Sequence, residues 1–548
     1  MRTNISLQKE CDRHDGCKPL SKMLDITPPV GLVDFAEQLA DEYVGSSELI
    51  KRKARGQFFT PKEVALFMAR RFDLSGKKDI RFLDPGAGAG MLTAAFCTYV
   101  LTCEEKKTIA IDVYENDPDL IPCLKKILHH CESALKAKGH EVSYKIIQKD
   151  FVVEGPEIVD SGLLFSKQNT AHYDCIISNP PYYKVAGNSA EAGSMSEFVS
   201  GQPNIYTFFM AISLESLNPA GEMVFITPRS FCSGLYFKKF RKWLLDRGAI
   251  KSIHLFDSRK AVFSKADVLQ ENVIIKVSPR MLKQRDAKVL MTASKDGLFN
   301  DLQEFSVDYE DMLHRKNGDV FIKIPVAEID VKVQHVINSW GHTLKDFGIN
   351  ASTGPVVSFR AEEFLSSEHR AGKTVPLLWM HNIQGMDAVW PLGRKNKECA
   401  IRHGKGIDPC LIPVSNYVLV KRFSSKEQNR RLYAGVMLKS DFAFDRVGIE
   451  NHLNYIYKVK GTLSLEEVYG IAGILNSSIV DKFFRMMNGS TQVNVTDILN
   501  LPLPSFGLIK EIGMFIVRNK PPIGCELDKA VSDILGTQEI FNALYGRS

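Results

Sequence analysis

Paired cysteines, long apolar runs and a strong charge of one sign are all missing from this 548-residue chain. Its eleven cysteines form no Cys-x-x-Cys pair and no zinc-type His/Cys spacing, so reduced thiols are expected and no metal site is predicted. No apolar run approaches the roughly 18 residues that span a bilayer, and the charged N-terminal segment lacks the apolar core of a secretory signal. These absences predict a soluble, intracellular protein without a membrane partner.

The length and the charge balance bound the organisation of the chain. The 548 residues, 44% of them apolar, exceed one ordinary domain, and the net charge of +6 is compatible with a nucleic-acid partner without requiring one. Apolar residues recur at helical spacing in VDFAEQLADEYV (33–44), which predicts an amphipathic helix. We predict a helical extension at residues 1–50, an α/β domain at residues 51–278 and a mixed α/β domain at residues 279–548.

Short β-branched segments alternate with helical patterns in the α/β domain. They are IRFLD (80–84), TIAIDVYE (108–115), YKIIQKDF (144–151), DCIIS (174–178), GEMVFITP (221–228) and NVIIKV (272–277). Strands of this kind, separated by helices such as NIYTFFMAISLESL (204–217), are typical of a largely parallel sheet. The alternation therefore predicts an α/β fold.

A glycine turn follows the first of these strands. Asp84 and Pro85 lead into Gly86, Gly88 and Gly90, which gives the spacing Gly-x-Gly-x-Gly. Glycines allow a tight turn and a close approach of the backbone to a ligand. The spacing is not that of the dinucleotide motif, because methionine stands at position 91, and no Gly-Lys-Ser/Thr follows as in a phosphate-binding loop.

Acidic residues end the next two strands. Glu115 ends the second strand and is placed to bind a pair of ribose hydroxyls. Asp150 and Phe151 end the third strand, where a carboxylate can accept from an adenine amino group and a ring can pack on the base. Together with the glycine turn, these residues predict an adenosine-containing cofactor without a pyrophosphate. S-adenosylmethionine fits that description.

The fourth strand runs directly into Asn179, Pro180, Pro181 and Tyr182. The prolines fix two φ angles and remove two backbone donors, so the corner presents the Asn179 side-chain oxygen and the Pro180 carbonyl as acceptors. Two rigid acceptors can bind both hydrogens of an exocyclic amino group and aim its lone pair at a methyl donor. The ring of Tyr182 offers a face on which a planar substrate can stack. These four residues are the predicted catalytic residues.

The order of these motifs resembles the amino-methyltransferases, and closely the gamma class of DNA adenine-N6 methyltransferases of the TaqI type. The resemblance covers roughly residues 50–278. It implies a Rossmann-like class I S-adenosylmethionine-dependent methyltransferase domain, followed by a C-terminal DNA target-recognition domain. It also implies double-stranded DNA as the partner, an adenine rotated out of the duplex as the target, and a place in a restriction–modification system. Adenine rather than cytosine follows from the resemblance alone, because the chemistry does not separate the two amino groups.

The resemblance assigns further site residues. GQFFTPKEVALFMA (56–69) is similar to the opening motif of the class, in which a Thr-Pro pair contacts the cofactor. NIYTFF (204–209) is similar to the motif whose aromatic ring packs on the cofactor adenine, and AVFSKADVLQENVIIKV (261–277) to the late motif whose Phe stacks on the target base opposite the Tyr. The residues assigned in this way are Thr60, Pro61, Asp84 near the methionine part of the cofactor and Phe209, together with the base-stacking Phe263.

Basic residues cluster in the second half of the chain. Between residues 402 and 439, eight lysines and arginines stand against two acidic residues. Such a patch can contact phosphates and guanine edges, and a solvated charged face has the same composition. The predicted substrate-binding residues are Lys421, Arg422, Arg430 and Arg431, and neutralising the last two is expected to flatten the salt dependence of DNA affinity. ILNSSIVDKFFRMMNGSTQVNVTDILNLPLPS (474–505) is similar to the closing segment of target-recognition domains.

Three other functions stay open on the sequence alone. A protein glutamine methyltransferase and an RNA adenine methyltransferase use the same Asn-Pro-Pro-Tyr chemistry, and a non-catalytic DNA-specificity protein keeps the fold without the reaction. The large C-terminal half argues against the first, and the complete motifs argue against the last. A monomer is expected in the prokaryotic cytoplasm, associated with the nucleoid, and a cognate restriction endonuclease is a partner with which no stable complex is implied.

Overall fold

The computed structural model describes the chain in ranges separated by gaps, namely residues 31–46, 59–154, 172–185, 204–256, 271–280, 288–316, 318–393, 397–424, 428–487 and 492–546. Two units divide the chain. The first comprises Met1–Pro228, Trp243–Gln284 and Thr292–Glu304, and the second comprises Arg229–Lys242, Arg285–Met291 and Phe305–Ser548. The division lies near the predicted boundary at residues 278 and 279, but it is not a single cut.

Arg241 supplies one physical reason for the assignment of Arg229–Lys242 to the second unit. Its side chain is fully buried, donates to the Val320 carbonyl at 2.7 Å and pairs with Asp319 at 3.0 Å. A buried guanidinium needs such partners, because an unpaired buried charge is costly. A segment that precedes residue 278 is therefore held by the second unit.

The first unit is built on a large sheet with helical crossovers. Its elements are α1 (Leu32–Ser46), α2 (Lys62–Ala69), β1 (Asp79–Pro85), α3 (Met91–Val100), β2 (Thr108–Tyr114), α4 (Ile121–Ala137), β3 (Glu141–Ile147), β4 (Tyr173–Ser178), α5 (Ile205–Glu215), β5 (Leu217–Pro228), α6 (Lys238–Arg247, which crosses the division), β6 (Gly248–Phe256) and β7 (Asn272–Pro279). The strands β8 (Lys288–Ser294) and β9 (Gln303–Asp308) continue the same sheet.

The strand order is β3-β2-β1-β4-β5-β7-β6-β8-β9. The first five strands of that order are parallel, and β7 pairs antiparallel with both β5 and β6. The order reverses between β1 and β4, and in sheets of this kind ligands bind outside the carboxyl ends of the strands at that point. The predicted Rossmann-like α/β class is confirmed, and the topology directs attention to the ends of β1, β2, β3 and β4.

Hydrophobic patterning explains how these elements pack. Strand β4 is buried along nearly its whole length, as expected for a parallel strand covered on both faces. Helix α4 buries Ile121, Leu124, Ile127, Leu128, Cys131 and Leu135, a helical stripe that faces the core. Helix α1, which the sequence predicted, buries Val33, Ala36 and Ala40. Among the described residues, no helix has the length and apolarity needed to cross a membrane.

The second unit combines small sheets with a helical group. Its elements are β10 (Leu313–Lys316), β11 (Asp319–Ile322), α7 (Glu328–Asn338), β12 (Ile349–Thr353), β13 (Leu365–Ser366), β14 (Thr374–Leu378), β15 (Ile383–Gln384), β16 (Asp387–Ala388), β17 (Ala400–Arg402), β18 (Leu411–Pro413), β19 (Tyr417–Lys421), β20 (Ala434–Met437), β21 (Arg446–Ile449), β22 (Leu453–Lys458), α8 (Leu465–Asn476), α9 (Ser478–Met487), α10 (Val495–Leu499), α11 (Phe506–Asn519), α12 (Cys525–Leu535) and α13 (Gln538–Tyr545).

Two sheets of the second unit carry most of its strands, in the orders β12-β22-β19-β20-β16-β15 and β13-β17-β14-β21-β18. Apolar residues from the first of these sheets, including Val418, Val436 and Ile456, share a core with the helices α7 to α13. The mixed α/β character predicted for residues 279–548 is therefore present, although the sequence did not predict its topology.

Candidate active site

A cavity of about 480 Å³ lies at the carboxyl ends of the parallel strands in the first unit. That volume lies within the range of small-molecule sites. Among the residues predicted from the sequence, those that line it are Thr60, Gly86, Gly88, Glu115, Asp150, Phe151, Asn179, Pro181 and Phe209. The topology therefore brings together residues that lie up to 149 positions apart in the chain, between Thr60 and Phe209.

The glycine turn after β1 is braced by the end of β2. The backbone N–H groups of Gly86 and Ala87 both donate to the Tyr114 carbonyl, at 2.9 and 2.8 Å. The N–H of Gly88 donates to the Glu115 carboxylate at 2.7 Å. Gly86 and Gly88 have φ angles of +88° and +57°, which side chains rarely adopt. A Cβ at these positions would lie in van der Waals contact with Phe209 at 3.4 Å and Phe59 at 3.5 Å, and it would take up space beside the cavity.

The carboxylates of Glu115 and Asp150 accept hydrogen bonds from backbone N–H groups, and both residues also line the cavity. Glu115 accepts from the N–H groups of Gly88 and Asp117, and burial raises its pKa. Asp150 accepts from the N–H of Val152 at 2.9 Å and from the Asn116 amide at 3.1 Å. Each carboxylate oxygen has two lone pairs, so a ligand hydroxyl or amino group can still donate to either residue.

Asp84 and Gly90, which the sequence analysis assigned to the cofactor, are not among the residues that line the cavity. Asp84 is fully buried, accepts from the Thr93 hydroxyl at 2.7 Å and is not among the residues that line the cavity. Burial raises its pKa to about 7. A Cβ on Gly90 would lie 2.4 Å from Ile127, so this glycine permits the packing of α3 on α4. Both residues are packed against the turn, and their predicted contact with the cofactor stays a prediction.

Asn179 is held in a defined orientation at the end of β4. Its amide nitrogen donates to the Thr60 hydroxyl at 3.0 Å, and its side-chain oxygen accepts from the Tyr182 hydroxyl at 2.7 Å. The Ser178 hydroxyl donates to the Pro85 carbonyl at 3.0 Å, which ties the end of β4 to the end of β1. Asn179 therefore lines the cavity, and its side-chain oxygen points to the Tyr182 hydroxyl.

Tyr182 differs from its expected role as an exposed stacking face. Its ring is 9% exposed, and its hydroxyl lies within hydrogen-bond distance of the Ile226 carbonyl as well as of Asn179. Burial raises its pKa well above the usual value, so the hydroxyl keeps its hydrogen and acts as a donor. The neighbouring Tyr183 is 42% exposed and lines the cavity, a position that the sequence analysis did not single out.

Other predicted residues divide between the cavity and its surroundings. Phe209 and Phe151 lie on the cavity with their ring centroids 5.2 Å apart. Pro61 caps the start of α2, where its carbonyl accepts from the N–H of Ala65, and neither it nor the buried Pro180 lines the cavity. Phe263 lies outside the described residues.

Several cavity residues were missed by the sequence analysis. They are Phe59, Ala87, Ala89, Met91, Leu92, Tyr114, Asn116, Asp117, Pro118, Leu120, Lys149, Val152, Tyr183 and Ile205. Most of them stand within one or two positions of a residue that was predicted, so extending each motif by its neighbours finds them. Ile205 is the first residue of α5, and its neighbour at position 204 is where the NIYTFF motif starts.

The charges of the cavity favour a cationic ligand over a phosphate. Among the described residues, Glu115, Asp117 and Asp150 line it, together with one cation, Lys149. An excess of carboxylates repels a pyrophosphate and attracts a sulfonium or an ammonium group. The glycine cradle, the carboxylates and the rings of Phe151 and Phe209 together fit S-adenosylmethionine, whose ribose, adenine and charged methionine part need these groups.

The predicted basic patch of the second unit is not a continuous surface. Arg431 is 1% exposed, and its guanidinium donates to the Ser424 hydroxyl at 3.0 Å. Arg430 donates to the Asn476 carbonyl and to the Ser478 hydroxyl, and it lies 3.5 Å from the Asp528 carboxylate. These contacts hold the fold of the unit together.

The other two predicted cations of that patch are half-buried. Arg422 donates to the Asn451 carbonyl at 3.1 Å. Lys421 alone of the four lines a cleft, which other residues of the second unit complete. The burial of Arg431 argues against its predicted contact with DNA, and the half-buried Arg430 is engaged with partners inside the unit.

Comparisons with known proteins identify the family of the chain. The family model of the Eco57I restriction-modification methylases matches residues 96–263. The chain is 35% identical over 490 residues to the type II methyltransferase M.BsuBI of Bacillus subtilis, covering 89% of this chain and 95% of the relative. It is 32% identical over 489 residues to the type II methyltransferase M.PstI of Providencia stuartii, covering 88% and 94%.

A solved structure supports the fold. The type IIL restriction-modification enzyme MmeI in complex with DNA matches with a TM-score of 0.53 and 12% identity, over 95% of this chain and 76% of that one. This likeness concerns the fold alone. The long and even coverage of M.BsuBI and M.PstI establishes the relationship, since it extends over both units. The chain belongs to the type II DNA methyltransferases of restriction–modification systems, site-specific enzymes whose methyl donor is S-adenosylmethionine.

Proposed function

We propose that this enzyme transfers the methyl group to N6 of an adenine rotated out of duplex DNA. The observation that carries the proposal is the orientation of Asn179 on the cavity, where Thr60 receives its amide hydrogen and leaves its oxygen as an acceptor. An acceptor in that place suits an exocyclic amino group. The Asn-Pro-Pro-Tyr sequence, through its resemblance to the adenine-specific class, supports adenine over cytosine.

The residues of the corner prepare the amino group. The Asn179 oxygen accepts one hydrogen of the amino group, which raises electron density on the nitrogen and directs its lone pair. The Pro180 carbonyl, between the cavity residues Asn179 and Pro181, is proposed to accept the other hydrogen. Bound S-adenosylmethionine supplies an electrophilic methyl group. Fixed orientation carries most of the rate enhancement, and the corner needs no strong general base if the proton leaves after the transfer.

The Tyr182 hydroxyl and the target amino group can share the Asn179 side-chain oxygen. The hydroxyl donates to that oxygen at 2.7 Å, and an amide oxygen has two lone pairs, so one remains for the amino group. The Ile226 carbonyl at 2.9 Å is a second acceptor for the hydroxyl. Stacking of the base on Tyr182 requires the buried ring to move, and Phe263 is proposed as the opposite face of the sandwich.

Single-molecule sequencing tests this function directly. DNA from a methylation-deficient host that expresses the chain should carry N6-methyladenine in one short motif. The Asn179→Ala variant should lower the rate by about 10²- to 10³-fold, while its affinity for S-adenosylmethionine stays within a few-fold of the wild type. Asn218→Ala is the matched control, because it removes an amide of the same unit that pairs with Asp174. Methylation at cytosine N4, or loss of cofactor binding in Asn179→Ala, would contradict the assigned role.

The last part of the proposal concerns the oligomeric state of the enzyme, its partner and its place in the cell. We propose that the enzyme acts as a monomer in the prokaryotic cytoplasm, in association with the nucleoid, and modifies one strand at a time. A cognate restriction endonuclease is proposed as its functional counterpart, without a stable complex. Light scattering of the purified chain with and without duplex DNA measures the stoichiometry, and a dimer on one recognition site would contradict the monomer.

A further inference from the structure

The second unit contains a cleft of about 830 Å³ that none of the matched motifs explains. It is formed where Lys421 ends β19, where the turn between β21 and β22 carries Glu450 and His452, and where Trp379 and His381 follow β14. Every one of these residues belongs to the second unit. The cleft is therefore a feature of that unit by itself.

Aromatic rings and lysines alternate along this cleft. The ammonium group of Lys397 lies 4.6 Å from the ring centre of Trp379, and that of Lys421 lies 4.9 Å from the ring centre of Tyr433. Rings under the lysines limit the positions that the two cations can adopt. Two held cations in one concave surface are suited to an anionic partner.

Glu450, the acidic residue among those described as lining the cleft, is held by contacts inside the protein. Glu450 is fully buried, and it accepts from the backbone N–H of His452 at 2.8 Å and lies 2.6 Å from the His452 imidazole. Its carboxylate is therefore engaged inside the protein and is not presented to a partner. The side chains that face outward at the rim include the amides of Gln428 and Asn429, both of which are exposed.

Exposed amides beside held lysines are the groups that recognise DNA. Lysine contacts backbone phosphates, and asparagine or glutamine can bond both polar atoms of an adenine edge in the major groove. Next to the cleft residue Ser358, Phe359 is 73% exposed with the guanidinium of Arg360 at 5.5 Å from its ring centre. An apolar ring that is so exposed beside cations is suited to contact bases or sugars.

We propose that this cleft, and not the arginines at positions 430 and 431, reads the target sequence, with Lys397 and Lys421 on phosphates and Gln428 and Asn429 on base edges. The inference rests on the proposed function, because it names the partner surface of the same DNA methylation reaction. It commits to duplex DNA as the occupant, on the grounds of the lysine charge and the amide chemistry.

The lysines are tested by the salt dependence of duplex binding. Lys397→Gln and Lys421→Gln should each weaken affinity severalfold and lower the slope of log K against log salt by about one. Lys529→Gln is the matched control, because this exposed lysine of α12 pairs only with its helix neighbour Asp533 among the contacts described, and the same charge is lost. Slopes for both cleft variants that equal the slope of the control would overturn the phosphate contacts.

The amides are tested by the methylated motif. Gln428→Ala combined with Asn429→Ala should relax one or two positions of the motif, with discrimination there falling by between about fivefold and a hundredfold. Affinity for S-adenosylmethionine and the unfolding temperature are measured on the same variant, to distinguish a loss of base recognition from a loss of folded protein. If Lys421→Gln lowers the unfolding temperature, the variants of the exposed residues Lys397, Gln428 and Asn429 test whether the cleft binds DNA.

The outcomes separate this inference from the proposed function. The proposed function is contradicted if the wild-type chain binds duplex DNA but produces no N6-methyladenine. In that case the salt dependence of duplex binding still tests the phosphate contacts of the cleft. The inference about the cleft is contradicted if the wild-type chain methylates one motif and the cleft variants keep the same motif, the same salt slope of DNA binding and the same KM for DNA. Binding of free nucleotide but not of duplex by the cleft would also overturn it.

Discussion

In the first unit, the strand ends carry their polar residues to one cavity. In the second unit, the described basic residues between 402 and 439 are divided between buried or half-buried positions and exposed ones. Glu115 and Asn179, 64 positions apart, both line the cavity, while the adjacent Arg430 and Arg431 are held by different buried partners. Parallel strands deliver their carboxyl ends to one edge whatever lies between them. A run of charges carries no such constraint, so its composition says little about its exposure.

The largest expected effect tests a strand-end residue that lies behind the cavity. Burial raises the folded-state pKa of Asp84 from its ordinary value of 3.8 to about 7. Between those pH values the folded state binds the proton more strongly than the unfolded state, so the free energy of unfolding falls as pH rises from about 4 to about 7 and then levels. Asp84→Asn should remove this dependence, which amounts to up to about 4 kcal/mol, because an amide does not titrate in this range. The amide oxygen can still accept from the Thr93 hydroxyl, so the local contact is kept.

Chemical denaturation of the cofactor-free enzyme at several pH values measures this difference between wild type and variant. Asp79→Asn controls for the loss of one carboxylate, since Asp79 is exposed at the start of the same strand. A wild-type-minus-variant difference that stays flat from pH 4 to pH 7 would show that Asp84 is not buried as a neutral acid.

The next effect tests whether Arg431 belongs to the fold or to the DNA surface. Arg431→Met removes a buried charged hydrogen bond to Ser424 and should lower the free energy of unfolding by about 2 to 3 kcal/mol. The salt slope of DNA binding should not change. Lys439→Gln, which removes an exposed cation of the same basic run, should leave stability unaltered. A flattened salt slope with full stability in Arg431→Met would restore the original prediction for this residue.

The smallest effect separates backbone strain from cavity space in the first unit. Gly86→Ala places a methyl group 3.4 Å from Phe209 and should weaken S-adenosylmethionine binding about tenfold, equal to about 1.4 kcal/mol. Gly76 also has a positive φ, of +69°, but a Cβ there meets nothing within 4 Å. Gly76→Ala should therefore cost a similar strain of about 1 to 2 kcal/mol without changing cofactor affinity. Calorimetric titration of both variants compares them, and equal affinities would show that Gly86 does not border the ligand.

The sequence predicted the fold and the cavity better than it predicted individual contacts. The order of strand tips was enough to place Gly86, Glu115, Asp150 and Asn179 on one cavity, because the α/β topology leaves few alternatives. It could not separate Gly86 from Gly90, since both stand in the same motif and only the packing of α4 distinguishes them. In the same way, only packing distinguishes the buried Tyr182 from the exposed Tyr183.

The second unit shows where sequence patterns stop being informative. The cleft that holds Lys397 and Lys421 draws residues from five separate stretches between Ser358 and His452. Its strands are short and belong to two sheets with mixed directions, so their order is not recoverable from periodicity.

The sequence by itself determined the α/β class, the glycine turn and the Asn-Pro-Pro-Tyr corner, because each depends on local backbone geometry and on strand order. Only the tertiary structure decided that Asp84 lies behind the cavity, that Tyr182 bonds Asn179 and that Arg430 and Arg431 are structural. The physical reason is burial. Whether a polar side chain meets solvent or a partner depends on what packs against it from distant parts of the chain, and no local pattern records that.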